Sequence, residues 1–402
     1  MFNPVKRKTL GLLAGAAAVA LTLTGGQAAL ADPPANTNPV IDGYGSDTTQ
    51  HVMNGIATVL NEGGANRLAS YDAGTGYVQS GESEPRAFVP RGNGSTQGKQ
   101  ILLAAIDNQV MTIGDRSSYI EVDGKRVPEK LQRDDAEYAR SSSAGVWGTT
   151  GKLTYIPFAI DGVSAAVAEG ESVLPADLPL GSEDDPKDAL TLRNIYAGTV
   201  TSITVDGASH ELTPLLPQKG SGSRAFWIDA LGLTEAQVTG HASDVDADGL
   251  SVQENDGTHL KRPTDVMPYS IASFIAQKDA DRISSAYGIN MQNRNGSAEL
   301  IKINGQPSLI GGRAMNTHFP VLRPVFNVVE TNAINTEAPG YNKQLKELFV
   351  GADSAIFTAE SKINAGSTVI ADFGFGELEQ NWEDPITKVL YSPGAVDKLA
   401  DK

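Results

Sequence analysis

The 402-residue chain contains no cysteine. That excludes disulfides, thiol nucleophiles and cysteine-ligated zinc, so stability must come from an ordinary hydrophobic core. It also removes the residue that a lipid-anchored bacterial export needs just after its apolar leader. Histidine is scarce: His51, His210, His241, His259 and His318 are scattered, with neither metal-site nor triad spacing. No metal and no cofactor is expected. Positive charge is in deficit, 32 Lys and Arg against 48 Asp and Glu, for a formal net charge of -16. A surface of that sign excludes nucleic acid as a partner and obliges any anion site to be built locally, from backbone amides and one or two placed cations. Long apolar runs are lacking too. The one from Leu10 to Leu23 is too short, and too rich in alanine and glycine, for a permanent membrane span.

What surrounds that run gives it a meaning. Lys6, Arg7 and Lys8 precede it and Ala29-Leu30-Ala31 follows it, which is the pattern of a secretory signal peptide over residues 1–31. The mature protein is expected to begin near Asp32, secreted to an extracellular or periplasmic space without a lipid anchor. Residues 32–39, DPPANTNP, form a polar flexible leader. About 370 residues remain, enough for two domains.

Strands alternate with helices, which argues α/β. Val52, Ile56, Val59 and Leu60 share one helical face, closed by Gly63-Gly64, and a second helix from about Thr96 turns Ile101, Leu102, Ala105 and Ile106 inward. Val110 to Ile113 reads as a short buried strand. Residues 121–150 have weak periodicity and many charges and read as an insertion or long loop. LTYIPFAI at 153–160, Val266 to Ile271 and Phe319 to Val329 read as strands, and the part from Asn342 onward as mixed helices.

Three loop-to-helix junctions share one grammar: GYGSDTTQ at 43–50, GNGSTQGKQ at 92–100 and GSGSRAFW at 220–227. The first turn of a helix has unpaired N–H groups and the positive end of the dipole, glycine admits a ligand to the backbone, and Ser or Thr adds a donor. Any one junction is explained by N-capping alone. Three in one chain point to an anion.

With VMTIGDRSS (110–118), YIPFAIDGVSAAV (155–167), LTLRNIYAGTV (190–200), PLLPQKGSGSRAFW (214–227) and DVMPYSIASFIAQ (265–277) in the same order, the chain resembles the phosphate-binding proteins of ATP-driven phosphate importers. The resemblance covers most of the chain from about Val40. It implies the two-domain type II periplasmic-binding-protein fold: domain I from 40–159 plus 321–402, domain II from 160–320, and a ligand cleft between them. It also implies a monomeric, non-enzymatic solute-binding protein for a small oxyanion, inorganic phosphate first, with the membrane component of an ABC importer as its partner. Carried over residue by residue, the ligand-binding set is Asp47, Thr48, Ser95, Thr96, Ser221, Gly222 and Ser223, with Arg224 as neutralising cation and Arg116, Ser117 and Ser118 as a further group. A guanidinium suits that role because it is always charged and meets two oxygens at once.

The chain departs from the pattern where Ser118 stands in place of a frequent aspartate and Gln218-Lys219 in place of an arginine and aspartate before GSG. DVDADGLSVQEN at 244–255 matches the early positions of a calcium loop, but Asn255 replaces the closing glutamate; the segment reads as a solvated acidic loop. Two other functions stand beside the binding protein: an extracellular phosphatase-like enzyme using His51, and an adhesion or cell-wall protein reusing the fold.

Overall fold

The computed structural model describes Asp32 and residues 41–81, 85–148, 151–396 and 399–400. The expected signal peptide and all of the expected leader except Asp32 lie outside the described residues. Asp32 is tied down, pairing with Arg91 and accepting the Asp72 amide at 3.1 Å.

The elements that carry the site are, in chain order, β1 (Asp42–Gly45), α1 (Gln50–Leu60), β2 (Ala69–Ser70), α2 (Ser95–Ile106), β3 (Tyr138–Ser141), β4 (Leu153–Ala168), β5 (Thr213–Pro214), α3 (Gly222–Ala230), β6 (Asp265–Ser270), α4 (Ile271–Lys278), β7 (Ala298–Leu300) and β8 (Leu322–Glu330). Among the described residues, eight strands form one mixed sheet in the order β5-β6-β4-β8-β3-β1-β2, with β7 also on β4. At one end β1 runs parallel to both β2 and β3, and at the other β5 runs parallel to β6.

β4 joins these two ends. Its 16 residues are buried throughout, as a near-continuous apolar run covered on both faces must be. Leu153 to Gly162 pair with β8, whereas Val163 to Val167 pair with β6. One strand therefore belongs to both halves of an α/β molecule, and β8 returns beside it, pairing onward with β3. The hydrophobic core follows the same path, since a single cluster contains Ile41 and Ile56 of the first half, Tyr155 and Phe326 of the connecting strands, and Trp227 and Ile283 of the second.

Two sequence expectations change. Residues 121–150 are not simply a loop: they include β3, a central strand between β1 and β8. Its four residues are all buried although Arg140 and Ser141 are polar, so no apolar pattern marks it. The strand expected at Val110 to Ile113 is only Thr112–Ile113, hairpinned to Arg116–Ser117, and Val110 is exposed. The expected helices hold: Val52, Ile56, Ile101, Leu102 and Ala105 face the core, with Val59, Leu60 and Ile106 at its margin. Glycine sets one close approach, because a Cβ on Gly98 of α2 would lie 2.4 Å from Gly45 Cα. Without it α2 seats against the end of β1. Among the described residues no helix is long and apolar enough to cross a membrane.

Three acids crowd the start of β1. Asp42 Oδ2 accepts the Gly81 amide at 2.8 Å, Glu137 Oε2 accepts the Asp42 amide at 2.7 Å, and Asp135 lies nearby. Burial raises Asp42 to about 7 and Asp135 to about 6, and it raises Glu137 as well. Acids whose folded pKa is raised hold protons that the unfolded chain has lost, so stability falls as pH rises from the unfolded values through the folded ones. Thermal unfolding is expected at a higher temperature at pH 5.5 than at pH 8, each group contributing up to about 1.4 kcal/mol per pH unit. Asp42→Asn keeps the acceptor for Gly81 and should flatten this dependence; an unchanged pH profile of Tm would remove Asp42 from the account.

Candidate functional site

The loop leaving β1, the start of α2, the end of β3 and the start of α3 meet at the junction of the two halves, beside the middle of β4 and the start of β8. Carboxyl ends of parallel strands and amino ends of helices are where open α/β sheets present ligands. Arg140 holds the first loop in place. Its guanidinium, wholly buried, donates to the carbonyls of Gly43, Gly45, Ser46 and Tyr71 and to the Ser70 hydroxyl. None of those acceptors is charged, and burial lowers its pKa from the usual arginine value.

Hydroxyls converge from both halves. Ser46 Oγ donates to Ser142 Oγ at 2.9 Å, Ser142 Oγ lies 3.4 Å from Ser95 Oγ, and Ser95 Oγ accepts the Ser142 amide at 3.1 Å. Thr48 Oγ1 lies 3.2 Å from Ser223 Oγ across the junction. Gly222 permits the contact, since a Cβ there would meet Ser142 Oγ at 2.3 Å and Ser95 Oγ at 2.5 Å.

The cation in this cluster is Arg323 of β8. Nε and Nη2 donate to Asp161 Oδ2 of β4 at 3.2 and 2.8 Å, Nη1 to the Ser142 carbonyl at 2.8 Å, and Nη2 also to Ser223 Oγ at 2.9 Å. Asp161 and Arg323 are directly opposed in the β4–β8 ladder. Asp161 Oδ1 meanwhile accepts from the Ser270 hydroxyl and the Ala272 amide, fastening the β6-to-α4 turn.

A carboxylate completes the cluster. Glu254 Oε2 accepts the Thr48 and Ser223 hydroxyls, each at 3.0 Å, while among the described residues no hydrogen-bond partner reaches the buried Oε1. Burial first, then negative Asp47, push its pKa up. Asp47 itself joins the halves at the rim, pairing with Arg294 at 3.1 Å and accepting from Asn255 at 3.1 Å; this pairing raises the pKa of Arg294. Beside Arg323 a cavity of about 370 Å³ is lined by Ser142, Phe226, Asp229, Pro324, Asp384 and Tyr391, among others.

Of the residues expected from sequence, Asp47, Thr48, Ser95, Gly222 and Ser223 come together. Thr96 lies at the contact but is exposed, its amide donating to the Gly220 carbonyl at 3.3 Å. Ser221 caps α3 by accepting the Arg224 amide. Arg224 is not the cation of the cluster, because its guanidinium turns away to the Pro217 carbonyl and Glu235. Arg116, Ser117 and Ser118 belong elsewhere: Arg116 donates to the Gly76 carbonyl, Ser117 pairs with Thr112, and the Ser118 hydroxyl donates to the Glu129 carbonyl. The hairpin that holds them branches off before β3, and it is β3 that delivers a serine, Ser142, to the site. The acidic loop 244–255 turns Glu254 inward and spends Asp246 on His259 at 2.8 Å and on the Asp248 and Leu250 amides. His51 lies 3.4 Å from the Gln50 side chain, and burial lowers its pKa.

Sequence reading missed Ser46, Arg140, Ser142, Asp161, Glu254, Asn255, Arg294 and Arg323. For two a signal existed: Asp161 is the one charge of β4, and Arg323 stands among mostly apolar residues near the start of β8, where an unpaired charge is too costly to keep.

No family model matches the sequence, and no curated protein matches it. Among solved structures the chain is similar to a protein of Clostridium perfringens crystallised with bound phosphate, at 12% identity and a TM-score of 0.49, over 84% of this chain and 99% of that one. It is also similar to an ABC-type phosphate transport receptor from Vibrio cholerae, at 17% identity and a TM-score of 0.46, over 84% and 99%. A phosphate-binding protein from Stenotrophomonas maltophilia is a third, at 12% identity and a TM-score of 0.40, over 85% and 91%. Likenesses this distant assign no chemistry to this chain, which rests on the residues of the site.

Removing one member of a buried ion pair leaves the other uncompensated, at a cost of about 3–5 kcal/mol. Asp161→Ala is expected to lose that much in urea unfolding, whereas the double change Asp161→Val with Arg323→Met should recover most of it. Equal losses in single and double variants would mean that the strand packing, not the pair, sets the stability.

Proposed function

We propose that this is a solute-binding protein for a small oxyanion, inorganic phosphate first, whose domain I (40–159 and 321–402) and domain II (160–320) close on the ligand. In this reading residues 1–31 direct secretion, the mature chain is not lipid-anchored, it acts as a monomer without catalysis, and it delivers its ligand to the membrane component of an ABC importer. The observation that carries the reading is the meeting of Thr48 and Ser223 hydroxyls, from opposite halves, on one anionic oxygen with Arg323 2.9 Å from Ser223 Oγ. Directed hydroxyls and one guanidinium, desolvated together, are a means of holding an oxyanion in a protein whose overall charge repels it.

The neutralising role passes from Arg224 to Arg323, and the ligand set becomes Thr48, Ser95, Ser142, Ser223 and Arg323, with Asp47 closing the rim. His51 has no place in this set, which supports binding over phosphate-ester hydrolysis.

Phosphate at 100 times its Kd should add about 2.7 kcal/mol to unfolding, read as a rise in Tm against sulfate, molybdate and no added anion. Ser223→Ala should weaken phosphate binding by about 10- to 150-fold, the scale of one hydrogen bond to a charged group, in calorimetric titration. Arg224→Lys should leave it near the unaltered value. A Tm indifferent to every anion tested would refute the oxyanion reading.

A further inference from the structure

We propose that Glu254 is a resident carboxylate ligand of the oxyanion site, and that an external anion binds only by displacing it. The inference rests on the oxyanion reading and concerns the regulation of that same site.

A hydroxyl has one proton to give. Thr48 and Ser223 both point theirs at Glu254 Oε2, at 3.0 Å each, while Ser223 Oγ accepts from Arg323. The donors that would hold a ligand oxygen are thus already committed to an oxygen of the chain itself. A second anion cannot join them without competing for the same protons, and two like charges in a buried space repel strongly. Glu254 is 1% exposed and its Oε1 is unpartnered among the described residues, so the carboxylate is incompletely satisfied where it lies. A displacing phosphate, with more oxygens to share among Ser95, Ser142 and Arg323, can do better.

The main chain around Glu254 does not need to leave. Val252 is wholly buried, and Asn255 is fixed through its carbonyl to Tyr269 and Gln277 and through its side chain to Asp47 and the Ser270 amide. Displacement is therefore a rotation of one side chain between two anchored residues. The occupied state joins the halves much as a ligand would, since Glu254 of one half is held by Thr48 of the other.

The test is calorimetric titration of phosphate into the mature chain and its Glu254→Gln and Glu254→Ala forms, with circular dichroism to confirm folding. Glu254→Gln keeps the size of the side chain and removes the charge, so it stays informative if the truncation perturbs the fold. Both variants are expected to bind phosphate at least tenfold more tightly than the unaltered protein. Binding only after substitution would support the inference most directly. Equal or weaker binding by both variants would overturn it, the weaker case making Glu254 a partner of the ligand instead of its rival. If none of the three binds phosphate, sulfate or molybdate, the oxyanion reading itself falls, and this inference with it.

Discussion

The ion pair between Asp161 and Arg323 is the constraint on which the rest of the architecture depends. Asp161 lies in the middle of one buried strand and Arg323 near the start of another, at facing positions of an antiparallel ladder that runs between the two halves. A buried pair of this kind repays its desolvation only when the remaining donors and acceptors are also satisfied. Here the spare capacity reaches outward in both directions: Asp161 to the start of α4, Arg323 to the Ser142 carbonyl on one half and Ser223 on the other. The pair cannot be met without drawing the end of β3, the start of α3 and the β6 turn to one point. Fold and site are set by the same few atoms.

Arg140 does comparable work for the first half with no carboxylate at all. Its donors are consumed by carbonyls of the β1 loop and β2 and by one hydroxyl, so the curve that presents Ser46 and Thr48 is fixed by main-chain hydrogen bonds to one rigid plane. A lysine there could not meet so many differently placed carbonyls, because its donors radiate from a single atom whereas those of a guanidinium are spread over a fork.

What could be read from the sequence divides along physical lines. The α/β alternation and helices α1 and α2 were legible because apolar spacing at the 3.6 period is a local property, and the three glycine-hydroxyl junctions were legible because helix starts have a local chemistry. β3 was not, since a four-residue strand with buried Arg140 and Ser141 owes its burial to hydrogen bonds with distant carbonyls. Arg224 reads as the cation because it comes directly after GSGS, yet α3 carries its guanidinium toward Glu235, eleven residues on. Glu254 gave no signal beyond its place in an acidic loop. Its burial is decided by Thr48 and Ser223, 206 and 31 residues away.

The contact between the halves at Gly94 and Gly220 is main chain against main chain, the Thr96 amide meeting the Gly220 carbonyl, with 2.8 Å between a Cβ placed on Gly94 and that same oxygen. Such a contact works as a gauge. Side-chain changes around the cluster leave this spacing alone, because it is set by peptide geometry, which no substitution shortens and any added Cβ lengthens. For the oxyanion site proposed above, such a gauge would fix the size of the ion more firmly than its chemistry, and a change of preference among ions of similar radius would ask far less of this chain than a change of radius.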